Sequence, residues 1–175
     1  LCKSSEAIWH MATGNTDVVV PDHKALNKGV RVYDGEDRLI CILKEGQDRT
    51  AVPLSEVSPA MKKAIVAAED RRFYNHSGID PVGIVRAAVT NSKEGEIVEG
   101  ASTITQQLIR NLYLNPRDQS YKRKFIEALG AVSAESKYGK EEILESYLNV
   151  VYFGSGKYGV EDAARYYFDK RAQNL

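Results

Sequence analysis

The stretch SPAMKKAIVAAEDRRFYNHSG, residues 58–78, decides how the chain is read. Ser58 is a favoured N-cap residue, and Pro59 sits where the first turn of a helix accepts proline. Met61, Ile65 and Ala68 recur at i, i+4 and i+7, one side of a 3.6-residue period. Gly78 is placed to end the element, so the pattern predicts one helix running towards it. On that helix Glu69, Phe73 and His76 share a face. Glu69 follows the small apolar run Ala64–Ala68 and emerges where a packed helix leaves its core. A carboxylate so placed is partly desolvated, which raises its basicity and suits a proton acceptor. His76, taken alone, is better read as a cation compensating the dipole at a helix C-terminus.

Helical signals continue downstream. Asp80-Pro81 opens a second helix reaching about Asn91, and residues 91–100, with two glycines and three glutamates, form a polar loop of the kind that often carries function. Thr103 with Gln106 three residues later is a capping-box pattern, followed by Ile104, Leu108 and Leu112 as the buried side of a helix. Further helices are predicted from about Ser120 to Tyr138, from Lys140 to Phe153 and from Val160 to Lys170. Upstream the period changes. Val30 and Val32, then Leu39, Cys41 and Leu43, alternate on either side of Asp34-Gly35-Glu36-Asp37, as two strands of a β-hairpin do. Residues 1–29 read as an irregular arm. The fold class is therefore mainly α, with a small β-hairpin ahead of the helices, and residues 30–175 form one domain.

Composition bounds the function. The 175 residues carry 24 Lys+Arg against 24 Asp+Glu, and 43% are hydrophobic, which suits one ordinary folded domain and excludes disorder or a fibrous repeat. Zero formal charge argues against a non-specific nucleic-acid binder. Two cysteines, Cys2 and Cys41, supply neither a disulfide framework nor a four-ligand zinc site. No apolar run approaches the roughly 20 residues needed to span a bilayer. The chain begins at Leu1 rather than Met, so a processed or trimmed stretch ahead of it is the expectation, and a missing anchor or signal proves little.

Two further helices carry more polarity than a core requires. Thr103, Gln107 and Arg110 stack a hydroxyl, an amide and a guanidinium along one face, a row able to hold phosphate or sugar oxygens. On this helix alone a solvated face explains the row better. Arg123 and Glu127 are i, i+4 partners and Lys124 lies three before Glu127, an arrangement an ordinary surface ion pair also satisfies. Yet Ala128, Gly130, Ala131 and Ala134 follow, small residues that permit close packing, so Glu127 and Glu135 would be carboxylates inside a bundle. Buried charges need partners. Glu69 and Glu127 make a carboxylate pair, the usual equipment for chemistry at a glycosidic carbon. Two glutamates among 24 acidic residues do not by themselves select an active site.

Taken together, five segments carry a resemblance. Residues 69–78, Glu69-Asp70-Arg71-Arg72-Phe73-Tyr74-Asn75-His76-Ser77-Gly78, resemble the first signature of the family 51 peptidoglycan glycosyltransferases. Residues 100–111, GASTITQQLIRN, resemble the second, and Arg123-Lys124-Phe125-Ile126-Glu127 the third. Residues 140–149 and 159–170 are similar to the fourth and fifth. Any one block could be chance; five in order are specific.

The resemblance implies a lysozyme-like helical domain at the extracytoplasmic face of the bacterial cytoplasmic membrane. Its substrates would be lipid II and the growing glycan strand, joined by β1,4 bonds with inverting displacement of undecaprenyl pyrophosphate. It further implies that Glu69 is the base for the acceptor 4-hydroxyl and that Glu127 assists departure of the diphosphate, with a divalent Mg or Mn ion a candidate at Glu127 and no organic cofactor. The substrate-binding set carried over comprises Asp70, Phe73, His76, Ser102, Thr103, Gln107, Arg110, Arg117, Arg123 and Lys124. Within it Asp70 and His76 order the base-bearing segment and Phe73 packs beside it, while Arg117 is a weaker member of the cationic cradle. Glu145, Asn149, Tyr167 and Phe168 read as structural. Arg110 stands where the family more usually has lysine, which keeps the charge and alters the donor geometry.

Members of the family carry an anchor before this region and often a transpeptidase domain after it, and their glycosyltransferase domain continues beyond the fifth block. The expectation is therefore a domain shortened at its C-terminus, able to bind moenomycin-like phosphoglycolipids better than it turns over. Two rivals remain: a lysozyme-like enzyme that cleaves glycan, which needs an acid but no diphosphate cradle, and a non-catalytic cell-wall binding domain.

Overall fold

The computed structural model describes residues 18–26, 30–33, 39–43, 50–94, 100–114 and 120–175, the two strands among them by their backbone. Seven α-helices are described: α1 (His23–Leu26), α2 (Pro59–Glu69), α3 (Pro81–Glu94), α4 (Ile104–Tyr113), α5 (Tyr121–Glu135), α6 (Lys140–Val150) and α7 (Val160–Phe168). Strands β1 (Val30–Tyr33) and β2 (Leu39–Leu43) pair antiparallel, with Val30 opposite Leu43 and an irregularity between Val32 and Tyr33. The turn expected between them, residues 34–38, lies outside the described residues, as do residues 95–99 of the polar loop and residues 1–17 and 27–29 of the arm.

The core forms around α4 and α6 because their apolar positions fall on one side. Ile104, Leu108 and Ile109 from α4 meet Ile143, Leu144, Tyr147 and Leu148 from α6, all buried. Helix α5 lies against α4 through its small residues, where Gly130 gives room to Ile109: a Cβ on Gly130 would stand 2.8 Å from Ile109 Cγ2. The caps read from the sequence hold α2 and α4 at their starts, and Ser120 does the same for α5. Ser58 accepts from the Met61 amide, Ser120 from the Arg123 amide, and Thr103 and Gln106 form both halves of the capping box.

Helix α2 departs from its predicted course. Met61, Ile65 and Val66 pack on the core, whereas Ala68 is exposed. The helix ends at Glu69, with Asp70 as C-cap, instead of continuing towards Gly78. The reason is tertiary. Asp70 Oδ2 takes the His76 ring at 2.9 Å and the Ile104 amide at 3.1 Å, which draws the chain inward into a short 3-10 turn, Phe73–Asn75, with Phe73 fully buried. Glu69, Phe73 and His76 therefore do not share a helical face, and His76 is buried against Asp70 instead of standing as an exposed cation at a helix end.

The stretch read as an irregular arm contains α1, and it docks. Val18 and Val20 are buried, His23 Nδ1 lies 2.8 Å from Glu145 Oε1, and Glu145 Oε2 accepts from the Leu54 amide. Asn149 joins the same wall by accepting from the Val52 amide and donating to the Val52 carbonyl. At the other end Glu161, buried on α7, pairs with Arg165 and accepts from the Ala172 amide, while the Ala172 carbonyl accepts from the Ser58 amide. The last turn thus rests against the start of α2.

Candidate active site

Glu69, the last residue of α2, is exposed on a cleft that it lines together with Asp70, Arg71, Asp80, Arg86, Gly100 and Ser102. The partial desolvation expected of it is absent, since the helix lies on the core surface and its end faces solvent. Its Oε2 accepts from Gln107 Nε2 at 2.9 Å, and Gln107 Oε1 accepts from the Tyr147 hydroxyl at 3.1 Å. Both ends of that amide are therefore engaged, one on the carboxylate and one on the phenol. Burial first, and the charge of Glu69 second, push the Tyr147 hydroxyl far above its ordinary pKa, against a smaller opposing effect of Arg110. Tyr147 thus remains a protonated donor at any physiological pH, and Arg110 lies within electrostatic reach of it.

Beneath Glu69 a buried network fixes the segment that presents it. Asp70 joins the His76 ring to the N-terminus of α4, and Thr103 Oγ1 donates to the Gly78 carbonyl at 2.7 Å while accepting from the Gln106 amide. Glu135 from α5 accepts from Thr105 Oγ1 at 2.5 Å and pairs with Lys140 Nζ at 2.6 Å, and His76 Nδ1 lies 4.0 Å from it. Phe73 packs edge-on to Tyr74 and His76, with the Lys140 ammonium 4.5 Å from its ring centre. Asp70, Phe73, His76 and Thr103 consequently serve the scaffold. The Thr103 hydroxyl, expected in the cradle, is occupied by the fold.

The second carboxylate is reached across the cleft wall. Ser102 Oγ accepts from Lys124 Nζ at 2.6 Å, and the same ammonium lies 3.2 Å from Glu127 Oε2. Arg123 Nη1 stands 3.4 Å from Glu127 Oε1. Glu127 is completely buried, so its charge is tolerated because two cations face it. The carboxylate is buried, while the Arg123 side chain is only partly covered and the Lys124 side chain reaches it from the exposed side. Arg117 lies outside the described residues. A divalent ion held by the protein alone does not fit here. Glu127 already faces two cations, and no group of three acidic, histidine or cysteine side chains able to hold a metal occurs among the described residues.

Sequence reasoning missed Tyr147, because its spacing with Ile143, Leu144 and Leu148 reads as an ordinary core stripe. Its hydroxyl was the available signal, since a buried phenol needs a polar partner. Lys140 was likewise given no role at the site.

Comparison with known proteins identifies the family. The family model described as Transglycosylase matches residues 36–175. Penicillin-binding protein 4 of Bacillus subtilis is 44% identical over 145 residues, covering 82% of this chain and 23% of the relative. Penicillin-binding protein 1A of Aquifex aeolicus is 45% identical over 161 residues, 89% of this chain and 22% of the relative. Penicillin-binding protein 1A of Escherichia coli is 43% identical over 159 residues, 91% of this chain and 18% of the relative. The chain spans about a fifth of the length of these curated relatives. The matched region runs through every segment that builds the cleft, and the chain belongs to the transglycosylase family.

Proposed function

We propose that the chain is a peptidoglycan glycosyltransferase domain that polymerises lipid II into β1,4-linked glycan, on a lysozyme-like helical framework preceded by a β-hairpin. The observation that carries this reading is an exposed carboxylate, Glu69, held by a side-chain amide on a cleft whose wall continues through Ser102 and Lys124 to buried Glu127. Glu69 takes the proton of the acceptor 4-hydroxyl as that oxygen bonds to the donor's anomeric carbon. The bond from that carbon to the diphosphate breaks with inversion, and its electron pair leaves on the diphosphate oxygens. Lys124, Arg123 and Arg110 neutralise the growing charge, with Arg offering its forked donors. Glu127 assists departure by holding the ammonium and guanidinium in place.

A lipid-linked substrate requires access to a bilayer. Val82, Val85 and Val89 on α3, and Tyr121, Phe125, Leu129 and Val132 on α5, are exposed apolar side chains at helical spacing. They support docking of the domain on the cytoplasmic membrane's outer face. No helix among the described residues is long and apolar enough to cross a membrane. On the family likeness, the full-length protein is proposed to carry an anchor and a transpeptidase partner.

Labelled lipid II tests the reading. The native protein should yield long glycan chains, and Glu69→Gln should lower the rate by about 10²–10⁴-fold, the usual worth of a positioned base. Folding should survive, because the side chain is exposed. Breakdown of preformed glycan, or full activity in Glu69→Gln, would overturn the proposal.

A further inference from the structure

Tyr147 lies on α6 among the apolar side chains of the core, yet its hydroxyl donates to Gln107 Oε1 at 3.1 Å and the other end of that amide donates to Glu69 Oε2 at 2.9 Å. We propose that Tyr147 is a positioning residue for Glu69, acting through Gln107 by fixing which end of the amide faces the carboxylate. This rests on the reading of Glu69 as the base.

A side-chain amide has a donor end and an acceptor end, related by a half-turn. With Nε2 towards Glu69, the carboxylate gains a charge-assisted bond and the phenol proton finds Oε1. With the amide reversed, an oxygen would face the ionised carboxylate, and the phenol would accept from Nε2 while its own proton pointed into the core. A buried donor without a partner and two facing oxygens both oppose that state. The phenol and carboxylate therefore select one orientation together, and that orientation favours the ionised Glu69 that accepts a proton.

The charged groups around the relay come from several elements. Asp70 and Arg71 follow α2, Asp80 and Arg86 approach from the α3 side of the cleft, Arg110 acts on the phenol from α4, and Lys124 reaches Ser102 from α5. None is altered by removing one phenolic oxygen, so a change in pH dependence reports the relay.

The test is kcat/KM against pH, using lipid II and the full-length protein, for the native form, Tyr147→Phe, Gln107→Met and the double variant. Tyr147→Phe should move the acid limb to higher pH, because the amide is no longer held with its donor end on the carboxylate. At neutral pH kcat should fall while KM changes less than about twofold, since ground-state contacts remain. In the Gln107→Met background, Tyr147→Phe should add nothing, because the relay is already cut. An unmoved acid limb, or effects that multiply in the double variant, would overturn the inference and leave Glu69 as base. If Tyr147→Phe does not fold, Gln107→Met alone must show the limb shift, and an unmoved limb there overturns the inference. Retained activity in Glu69→Gln would instead remove the reading on which it rests.

Discussion

Replacing Gly78 by alanine tests the packing that joins the two carboxylate-bearing segments. Gly78 has φ +92°, and a Cβ built on it would lie 2.7 Å from the carbonyl carbon and oxygen of Ala131 and 2.8 Å from the Val132 nitrogen. Those atoms belong to the backbone of α5, the helix that carries Glu127, so no side-chain rotation relieves the clash. Its carbonyl also accepts from Thr103 Oγ1, which ties the same point to the start of α4. A non-glycine residue in that backbone region costs about 1–2 kcal/mol, and overpacking adds about 1–3 kcal/mol. Because the obstruction is backbone, the sum should fall near ~3–5 kcal/mol. With a urea slope of about 2 kcal/mol/M, Gly78→Ala should unfold roughly 1.5–2.5 M earlier than the parent. Gly100→Ala is the control: nothing lies within 4 Å of its would-be Cβ, and its midpoint should stay close to the parent's. A Gly78→Ala midpoint within about 0.5 M of the parent, read by circular dichroism in urea, would refute the reasoning.

Lys124→Ala removes the ammonium shared by Ser102 and Glu127, while Arg123 still faces Glu127. In a steady-state assay with lipid II, kcat/KM should fall about 10²-fold or more as a positioned charge at the leaving group is lost, whereas stability should drop by only about 1–2 kcal/mol. Burial pushes the Glu145 carboxyl up, but hydrogen bonds from the His23 ring and from the Leu54 and His23 amides, with the His23 charge, outweigh it and hold the carboxyl below its ordinary value. A depressed folded pKa stabilises above the unfolded value, about 4.3 for Glu, and that stabilisation is lost as pH falls through the folded value. Residues 18–26 should therefore become accessible to an acid-active protease below about pH 4, and Glu145→Gln should flatten this dependence. Acid-insensitive docking of the native segment would contradict it.

Much of the helical framework was legible because its signals are local. Ser58 and the Thr103–Gln106 box start their helices where cap chemistry places them, and the α4 stripe buries Ile104 and Leu108 fully and Leu112 in part. The end of α2 was not legible. A 3.6-residue pattern says nothing of Asp70 meeting His76 and the Ile104 amide, and those contacts turn the chain eight residues before Gly78 would have. Glu127 had the same i, i+4 spacing to Arg123 whether it lay on the surface or in the bundle. The small residues Gly130 and Ala131 that follow it were the sequence's signal for the bundle, and their packing buries the carboxylate as that signal suggested.

What the linear chain determined by itself was the order and start of the helices from α2 onward, the charge balance, and the five segments whose likeness names a chemistry, since caps, periods and motifs are properties of neighbouring residues. The tertiary structure decided which of those side chains meet. Gln107 is 38 positions from Glu69 and 40 from Tyr147, and no short-range preference brings a phenol, an amide and a carboxylate into one line of hydrogen bonds. That juxtaposition arises because α2, α4 and α6 share one core, whose packing leaves the Gln107 amide between the exposed end of α2 and the buried hydroxyl of α6.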